Sequence, residues 1–233
     1  EPMHKTDVYI LYDNQAVYIG AVLFDSAPDS ILKQLGNRDE DLNADKFGVE
    51  FDTYNNKNDA YVFEVTASGV QTDYRENDDT YNAVWESKVC INDQGWCVEM
   101  KIPYSALRFP KTNVQNWGLE IYRNIRRNRE QDYWALEEKG IMNSHVYWGE
   151  LQGIENIEAP LRLSFTPYVS YAMVNDNSID DKKERWSSSL NGGLDLKYGI
   201  NEAYTLDMTL LPDFSQVQSD NKVKNLSAYE TTY

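Results

Sequence analysis

Four oxygen-bearing side chains alternate along one short acidic stretch: Asp39, Asp41, Asn43 and Asp45. Calcium binds about six to eight oxygen atoms at once, and carboxylate and amide oxygens are its usual protein ligands. The stretch therefore predicts a calcium site, with Ca²⁺ as the one candidate cofactor. The alternative is a solvated acidic loop, because Lys46 stands where a helix-loop-helix calcium loop requires glycine.

The two cysteines flank a hairpin turn signal at residues 92–95. An antiparallel register that pairs Cys90 with Cys97 places Ile91 opposite Trp96 and puts both cysteines on the solvent face. Two interpretations stay open. The cysteines form a disulfide, which would indicate an oxidising compartment, or they remain a reduced pair.

Aromatic side chains are candidates for stacking on a ligand. Trp96 and Trp117 fall on the inward face of their predicted strands and are expected in the core. Trp134 follows Tyr133 in a polar segment and is the ring that we expect to be exposed. Trp134 and Tyr133 are therefore candidate ligand-binding residues.

Arginines are dense between positions 123 and 129, although the chain is acidic. Arg123 and Arg126 are candidate ligand-binding residues, because guanidinium groups attract lipid phosphate or an acidic partner. The alternative is that these arginines neutralise nearby carboxylates. Those carboxylates are Glu130, Glu137 and Glu138.

Composition excludes several functions. The chain has 233 residues with 22 Lys+Arg against 38 Asp+Glu, a net charge of −16, which argues against a nucleic-acid partner. No Gly-x-Ser-x-Gly or His-Glu-x-x-His motif occurs. With only His4 and His145, a three-histidine metal site is excluded. We therefore expect a binding or structural protein rather than an enzyme.

The elements that must position these residues are strands. From Asp7 to Gly153, short apolar or alternating runs are separated by clusters of turn residues. This pattern is typical of an antiparallel β-sandwich. One short helical segment is expected at residues 29–36, with Asp29 as its N-cap and Gly36 as its end.

Longer alternating runs follow, at Leu161–Met173, Trp186–Ile200 and Tyr204–Leu210. About ten alternating residues let a tilted strand cross a bilayer, so these runs predict the first strands of an outer-membrane β-barrel. The alternative is a large soluble antiparallel sheet packed on one face. Three strands cannot close a barrel, so we expect the chain to be a fragment of a longer protein.

Three segments resemble the core of a carbohydrate-binding module family 9-like domain: Asp45–Asp52, Gly95–Pro103 and Trp148–Leu151. The resemblance implies an immunoglobulin-like antiparallel β-sandwich. Three further segments resemble an uncharacterised bacterial family of the domain of unknown function 5916 type, common in Bacteroidota. In that family such a module precedes an outer-membrane β-barrel. These segments are Arg108–Pro110, Trp117–Arg127, and Pro212–Val217 followed by Asn225 and Leu226.

The sequence departs from the family 9 pattern at the sugar site. Characterised family 9 modules hold a terminal sugar between two tryptophan rings. The corresponding loops here, residues 39–44 and 140–144, contain no tryptophan. Gly48 and Glu64 stand where those modules place an acidic and a basic side chain.

We therefore expect residues 1–155 to form the family 9-like module and residues 156–233 to begin an outer-membrane β-barrel. The expected function is recognition of a glycan or protein by a non-enzymatic module attached to the barrel. Two alternatives are an accessory domain of a glycan-degrading hydrolase and a structural subunit of an outer-membrane assembly. The expected partners are a glycan or an outer-membrane protein, and membrane lipid for residues after 160. The module would then lie in the periplasm or on the cell surface.

Overall fold

The computed structural model describes residues 2–78, 81–136, 143–175, 186–200 and 204–210. The chain divides into two compact units, Glu1–Leu161 and Arg162–Tyr233. The strands are β1 (Thr6–Tyr12), β2 (Ala16–Phe24), β3 (Lys46–Asp52), β4 (Tyr61–Thr66), β5 (Gln71–Arg75), β6 (Glu86–Asn92), β7 (Gly95–Pro103), β8 (Val114–Ile125), β9 (Glu130–Tyr133), β10 (Gly149–Glu155), β11 (Leu163–Asn175), β12 (Trp186–Gly199) and β13 (Thr205–Leu210). Short 3₁₀ turns lie at Pro28–Ser30, Tyr104–Ala106, Arg126–Asn128 and Ser144–Tyr147.

Two antiparallel sheets form the first unit. Sheet A has the strand order β1-β2-β7-β6, and sheet B has the order β10-β8-β3-β4-β5, with β9 also paired to β8. Because side chains alternate between the two faces of a strand, each sheet turns one apolar face inward. These inward faces share one hydrophobic core. The predicted all-β antiparallel sandwich is therefore confirmed.

The alternation is clearest in the central strands. In β2, Ile19 and Leu23 are buried, and in β3, Phe47 and Phe51 are completely buried. Phe51 contacts Trp117 edge to face, with ring centroids 5.8 Å apart. This geometry suits the aromatic quadrupole and adds to the burial of both rings. Trp117 lies in the core, as the sequence predicted.

The β6–β7 hairpin has the predicted register. Cys90 is opposite Cys97, Ile91 is opposite Trp96, and Trp96 is buried in the core. The two cysteines form a disulfide with an S–S distance of 2.04 Å. Cys90 is exposed and Cys97 is half-buried, so the disulfide lies on the solvent face of sheet A.

The helical segment expected at residues 29–36 is wrong, because only Pro28–Ser30 forms a single 3₁₀ turn. Ile31 leaves this turn in an extended conformation and is buried in the core. The Leu32 carbonyl accepts the N–H of Asp45, and the Gln34 carbonyl accepts the Ser68 hydroxyl. Contacts with other parts of the sandwich thus satisfy backbone groups that a helix would have paired internally.

The second unit contains the three-stranded antiparallel sheet β11-β12-β13. Its register aligns the apolar residues of adjacent strands: Phe165 is opposite Leu196, which is opposite Met208. One face is therefore apolar, while Thr166, Asp195 and Thr209 align on the other. No helix among the described residues is long and apolar enough to cross a membrane.

A tyrosine packs on glycine on the outer face of sheet B. The Tyr122 ring lies directly over Gly48, where a Cβ atom would overlap the ring. The Tyr122 hydroxyl donates a hydrogen bond to Glu64 Oε2 at 2.9 Å. Lys46 Nζ lies 3.1 Å from the other oxygen of Glu64. Gly48 thus provides the space that this buried hydrogen-bonded group requires.

Replacing Gly48 by alanine is expected to lower the free energy of unfolding by about 1–3 kcal/mol, because the new methyl group displaces the Tyr122 ring. Urea denaturation measures the change. Gly20→Ala is the matched control: Gly20 also lies in a strand, but a Cβ atom added there would have open space for 4 Å around it. Equal losses in the two variants would contradict the assignment of the effect to Tyr122.

Candidate functional site

A groove of about 890 Å³ opens between the two sheets of the first unit. Its walls come from β1 of sheet A and from β8 and β9 of sheet B. Val8 and Ile10 of β1 face Leu119 and Ile121 of β8 across an apolar floor. We call this cavity the β1–β8 groove. It combines an apolar surface with polar groups at one end, as small-molecule sites commonly do.

Trp134 lines the β1–β8 groove and leaves 59% of its surface exposed. Its backbone N–H donates to the Ile121 carbonyl at 2.8 Å and to Glu120 Oε1 at 3.0 Å. Its ring packs on Gly149, where a Cβ atom would overlap it. The Trp134 ring is therefore exposed, but hydrogen bonds fix the backbone of this residue and Gly149 supports one side of the ring. The side chain thus has little conformational entropy left to lose when a ligand binds.

Glu120 anchors the segment that carries this ring. Its Oε1 atom accepts hydrogen bonds from the backbone N–H groups of Ile121, Trp134 and Ala135, at 2.8, 3.0 and 3.0 Å. Glu120 is almost completely buried, so these charge-assisted bonds form away from water and are strong. Glu120 and Gly149 were not recognised from the sequence, because only the fold brings them to Trp134.

Tyr133 and Arg123, two other predicted ligand-binding residues, also line the groove. Tyr133 is exposed, and its ring centroid lies 6.1 Å from that of Tyr122. Arg123 is almost completely buried, and its Nη1 donates to Thr6 Oγ1 at 3.2 Å. Burial lowers the pKa of the Arg123 guanidinium, while nearby carboxylates act in the opposite direction.

Arg126, the fourth predicted ligand-binding residue, does not line the groove. Its Nε donates to Asn43 Oδ1 at 2.9 Å, and its backbone N–H donates to Asp45 Oδ1 at 3.0 Å. The structure therefore brings together the side chains of Trp134 and Arg123. Tyr133 also borders the groove, but its ring lies against Tyr122 on the outer face of sheet B, and Arg126 lies elsewhere.

The main partner of this arginine segment is Asp25, which the sequence did not identify. Arg127 binds both Asp25 oxygens, at 2.8 and 2.7 Å, and Arg123 Nη2 lies 3.8 Å from Asp25. The sequence predicted that these arginines neutralise Glu130, Glu137 and Glu138. Among the described residues, Arg127 instead forms its hydrogen-bonded ion pair with Asp25, 102 residues away. Glu137 and Glu138 lie outside the described residues.

Asp25 is held in its charged form. Burial would raise the pKa of this carboxyl, but hydrogen bonds from Arg127 and from the Ala27 N–H outweigh it and lower the pKa. The charged carboxylate therefore binds Arg127 and lies 3.8 Å from Arg123 beside the groove.

The predicted calcium ligands do not converge. Asp39 Oδ1 accepts the backbone N–H of Asp73 at 3.0 Å. Asp41 points to solvent and pairs with Lys46, with Nζ 3.2 Å from Oδ1. Each side chain thus interacts with a different part of the fold.

The other two residues of the acidic stretch turn toward Arg126. Asn43 Oδ1 accepts its side chain, and the buried Asp45 accepts its backbone N–H. Burial raises the pKa of Asp45 despite this hydrogen bond. Within the part of the chain that the structure describes, no group of three or more His, Cys, Asp or Glu side chains could hold a metal ion.

A family model matches the C-terminal part of the sequence. Residues 159–233 match the model of a family described as a domain of unknown function, DUF5916. This region includes the predicted family motif at residues 212–217, which lies outside the described residues. No curated protein matches the sequence.

Solved structures are similar to the chain in fold. A candidate carbohydrate-binding protein from Bacteroides uniformis has a TM-score of 0.51 and 12% identity, covering 64% of this chain and 78% of that one. A family 9 carbohydrate-binding module from Caldicellulosiruptor kristjanssonii in complex with glucose has a TM-score of 0.49 and 15% identity, covering 69% and 83%. Its complex with cellotriose gives 0.48 and 14%, covering 65% and 76%. At these identities the likeness concerns the fold alone.

Replacing Asp25 by asparagine is expected to lower the free energy of unfolding by about 3 kcal/mol at pH 7, because the buried Arg123 and the half-buried Arg127 lose their carboxylate. The folded-state pKa of Asp25 lies below its ordinary value of 3.8. Its contribution is therefore present above about pH 3.8 and is lost as the pH falls through the lower folded value. Urea denaturation at pH 7, 5 and 3 measures this dependence.

The difference between wild type and Asp25→Asn should be equal at pH 7 and 5 and smaller at pH 3. Asp7→Asn is the control, since Asp7 pairs with the exposed Lys5 on the surface of β1 and should contribute little. A difference that stays constant down to pH 3 would show that the Asp25 charge is not responsible.

Proposed function

We propose that residues 1–155 form a binding module that recognises a glycan in the β1–β8 groove. We further propose that residues 156–233 begin an outer-membrane β-barrel, which places the module in the periplasm or on the cell surface. The observation that carries the glycan proposal is Trp134, an exposed ring held rigidly beside buried polar side chains.

A sugar ring has the two kinds of surface that the groove contains. Its axial C–H groups form an apolar face that stacks on an aromatic ring, while its hydroxyl groups project from the ring edge and form hydrogen bonds. Trp134 offers the aromatic face, and Arg123 and Asp132 lie on the groove wall as polar partners. One sugar can therefore use both parts of the groove.

The fold is compatible with this function. The Bacteroides uniformis protein with a similar fold is described as a candidate carbohydrate-binding protein. This support is an analogy between folds, since one fold hosts many functions. The groove residues, rather than the fold, support the ligand class.

The second unit has the surface that a bilayer-spanning sheet needs. Its apolar face extends about 27 Å from Leu163 to Tyr171 at ~3.3 Å per residue, and most of its side chains are exposed. Phe165 and Tyr198 lie toward one end of this face and Tyr171 and Trp186 toward the other. Aromatic residues at both ends of an apolar band of about 25 Å are typical of outer-membrane strands.

Replacing Trp134 by alanine is expected to weaken glycan binding at least about tenfold, because a preorganised aromatic contact is lost at the centre of the site. A glycan array followed by calorimetric titration of the bound sugars measures this. Tyr9→Ala is the control, since Tyr9 is equally exposed but does not line the groove. Absence of binding to any glycan by the wild type would refute the proposal.

The membrane proposal is tested on one strand. Val169→Arg on the apolar face is expected to destabilise the protein in lipid vesicles by about 2–4 kcal/mol, because the charge meets hydrocarbon. Thr166→Arg, on the opposite face of β11, should cost much less. Reversible folding of the protein with its natural C-terminal extension into vesicles measures both. Equal effects, or a protein that stays soluble without detergent, would contradict the proposal.

A further inference from the structure

Arg123 and Asp132 are cross-strand neighbours, paired directly in the register of β8 and β9. Both line the β1–β8 groove. Three of their polar atoms, Nε and Nη2 of Arg123 and Oδ2 of Asp132, are buried without a hydrogen-bond partner among the described residues. The groove wall thus holds unmatched donors and an unmatched acceptor side by side.

Such atoms are rare in folded proteins, because a buried polar group without a partner costs free energy. The two side chains do not satisfy each other, although they lie on the same face of adjacent strands. Burial lowers the pKa of Arg123 and raises the pKa of Asp132, because both charged groups lie away from water. A ligand in the groove that both accepts and donates hydrogen bonds would remove this cost once a small shift of the two side chains turns these atoms toward it.

A pair of hydroxyl groups has the required chemistry, because each hydroxyl both donates and accepts. A hydroxyl oxygen can accept from Arg123, and a neighbouring hydroxyl can donate to Asp132. Ligands that carry only acceptors would leave Asp132 without a partner.

The charges around the pair favour a neutral ligand. Two cationic side chains of the wall already have carboxylates within 4 Å: Arg123 lies near Asp25, and Lys5 Nζ lies 2.8 Å from Asp7. Asp45 and Asp132 add further negative charge next to Arg123. A carboxylate on the ligand would therefore be repelled by Asp45 and Asp132, and His4 is the remaining basic side chain that lines the groove.

We propose that Arg123 and Asp132 bind two neighbouring hydroxyl groups of an uncharged sugar that stacks on Trp134, and that the groove disfavours sugars bearing a carboxylate. This inference rests on the proposed glycan function and adds the ligand class and two specificity-determining residues. Asp132 is the residue to substitute, since it is only partly buried, whereas removing Arg123 would leave Asp25 with one guanidinium fewer in the interior.

The test uses a titration panel of glucose, galactose and mannose, their monodeoxy analogues and the corresponding uronic acids. For the hexose that binds, the analogue lacking either contacted hydroxyl should bind about ten- to a hundredfold more weakly. The uronic acid should also bind at least about tenfold more weakly. In Asp132→Ala, the penalty for removing one of the two hydroxyls should disappear, and the penalty for the other should remain.

This coupling separates a ligand contact from a structural role, because a general loosening of the groove would weaken every sugar alike. Asp7→Ala is the matched control: Asp7 is an acidic residue of β1 that does not line the groove, so both hydroxyl penalties should persist, while the uronic-acid penalty should shrink because Lys5 loses its carboxylate. Unchanged penalties in Asp132→Ala would show that water satisfies the pair and would overturn the inference. Uronic acids that bind as tightly as the neutral sugars would overturn the ligand class.

The two proposals fail differently. If no sugar of the panel or the glycan array binds, the glycan function itself is refuted. If a sugar binds and Trp134→Ala abolishes its binding, but the Asp132 coupling is absent, the glycan function stands and only the roles of Arg123 and Asp132 are refuted.

Discussion

The ion pair between the buried Asp25 and the half-buried Arg127 is the constraint on which the groove depends. Asp25 follows β2 in sheet A, and Arg127 follows β8 in sheet B, so the pair joins the two sheets. A buried charge is stable only when its partner satisfies it with good geometry, and both Asp25 oxygens accept from the guanidinium. This contact fixes the end of β8, from which the chain turns into β9 and reaches Trp134. Without it, the wall that holds Arg123 and Asp132 would lose its position relative to β1.

Local sequence patterns correctly predicted the features that depend on neighbouring residues: strand register, the face on which a side chain lies, and the exposure of Trp134. The β6–β7 register follows from a turn signal and the two-residue period of a strand, and both are visible in residues 90–97. The alternation of β11 and β12 likewise predicted which residues share a face, and the pairing of Phe165 with Leu196 agrees. The exposure of Trp134 followed from its polar neighbours. These features need no knowledge of distant contacts.

The features that sequence reasoning missed depend on distant contacts. Asp25 and Arg127 are 102 residues apart, and no spacing rule connects them. The acidic stretch has the composition of a calcium loop. However, Asp45 directly precedes β3 and its side chain is buried, while the side chain of Asp41 is exposed to solvent. Nothing in the sequence around Gly149 indicates its role, because the Trp134 ring contacts this glycine only in the folded protein. In each case the partner, rather than the residue type, determines the role.

Tyr122 covers the outer face of sheet B at Gly48: its ring occupies the space of a Cβ atom there, and its hydroxyl donates to Glu64. This part of the surface is therefore filled by the protein's own aromatic group. The exposed ring is instead Trp134, beside a groove in which Arg123 and Lys5 lie within 4 Å of carboxylates. A net charge of −16 repels anions at long range, and Asp45 and Asp132 add negative charge beside Arg123. This charge distribution therefore favours an uncharged ligand over an acidic one.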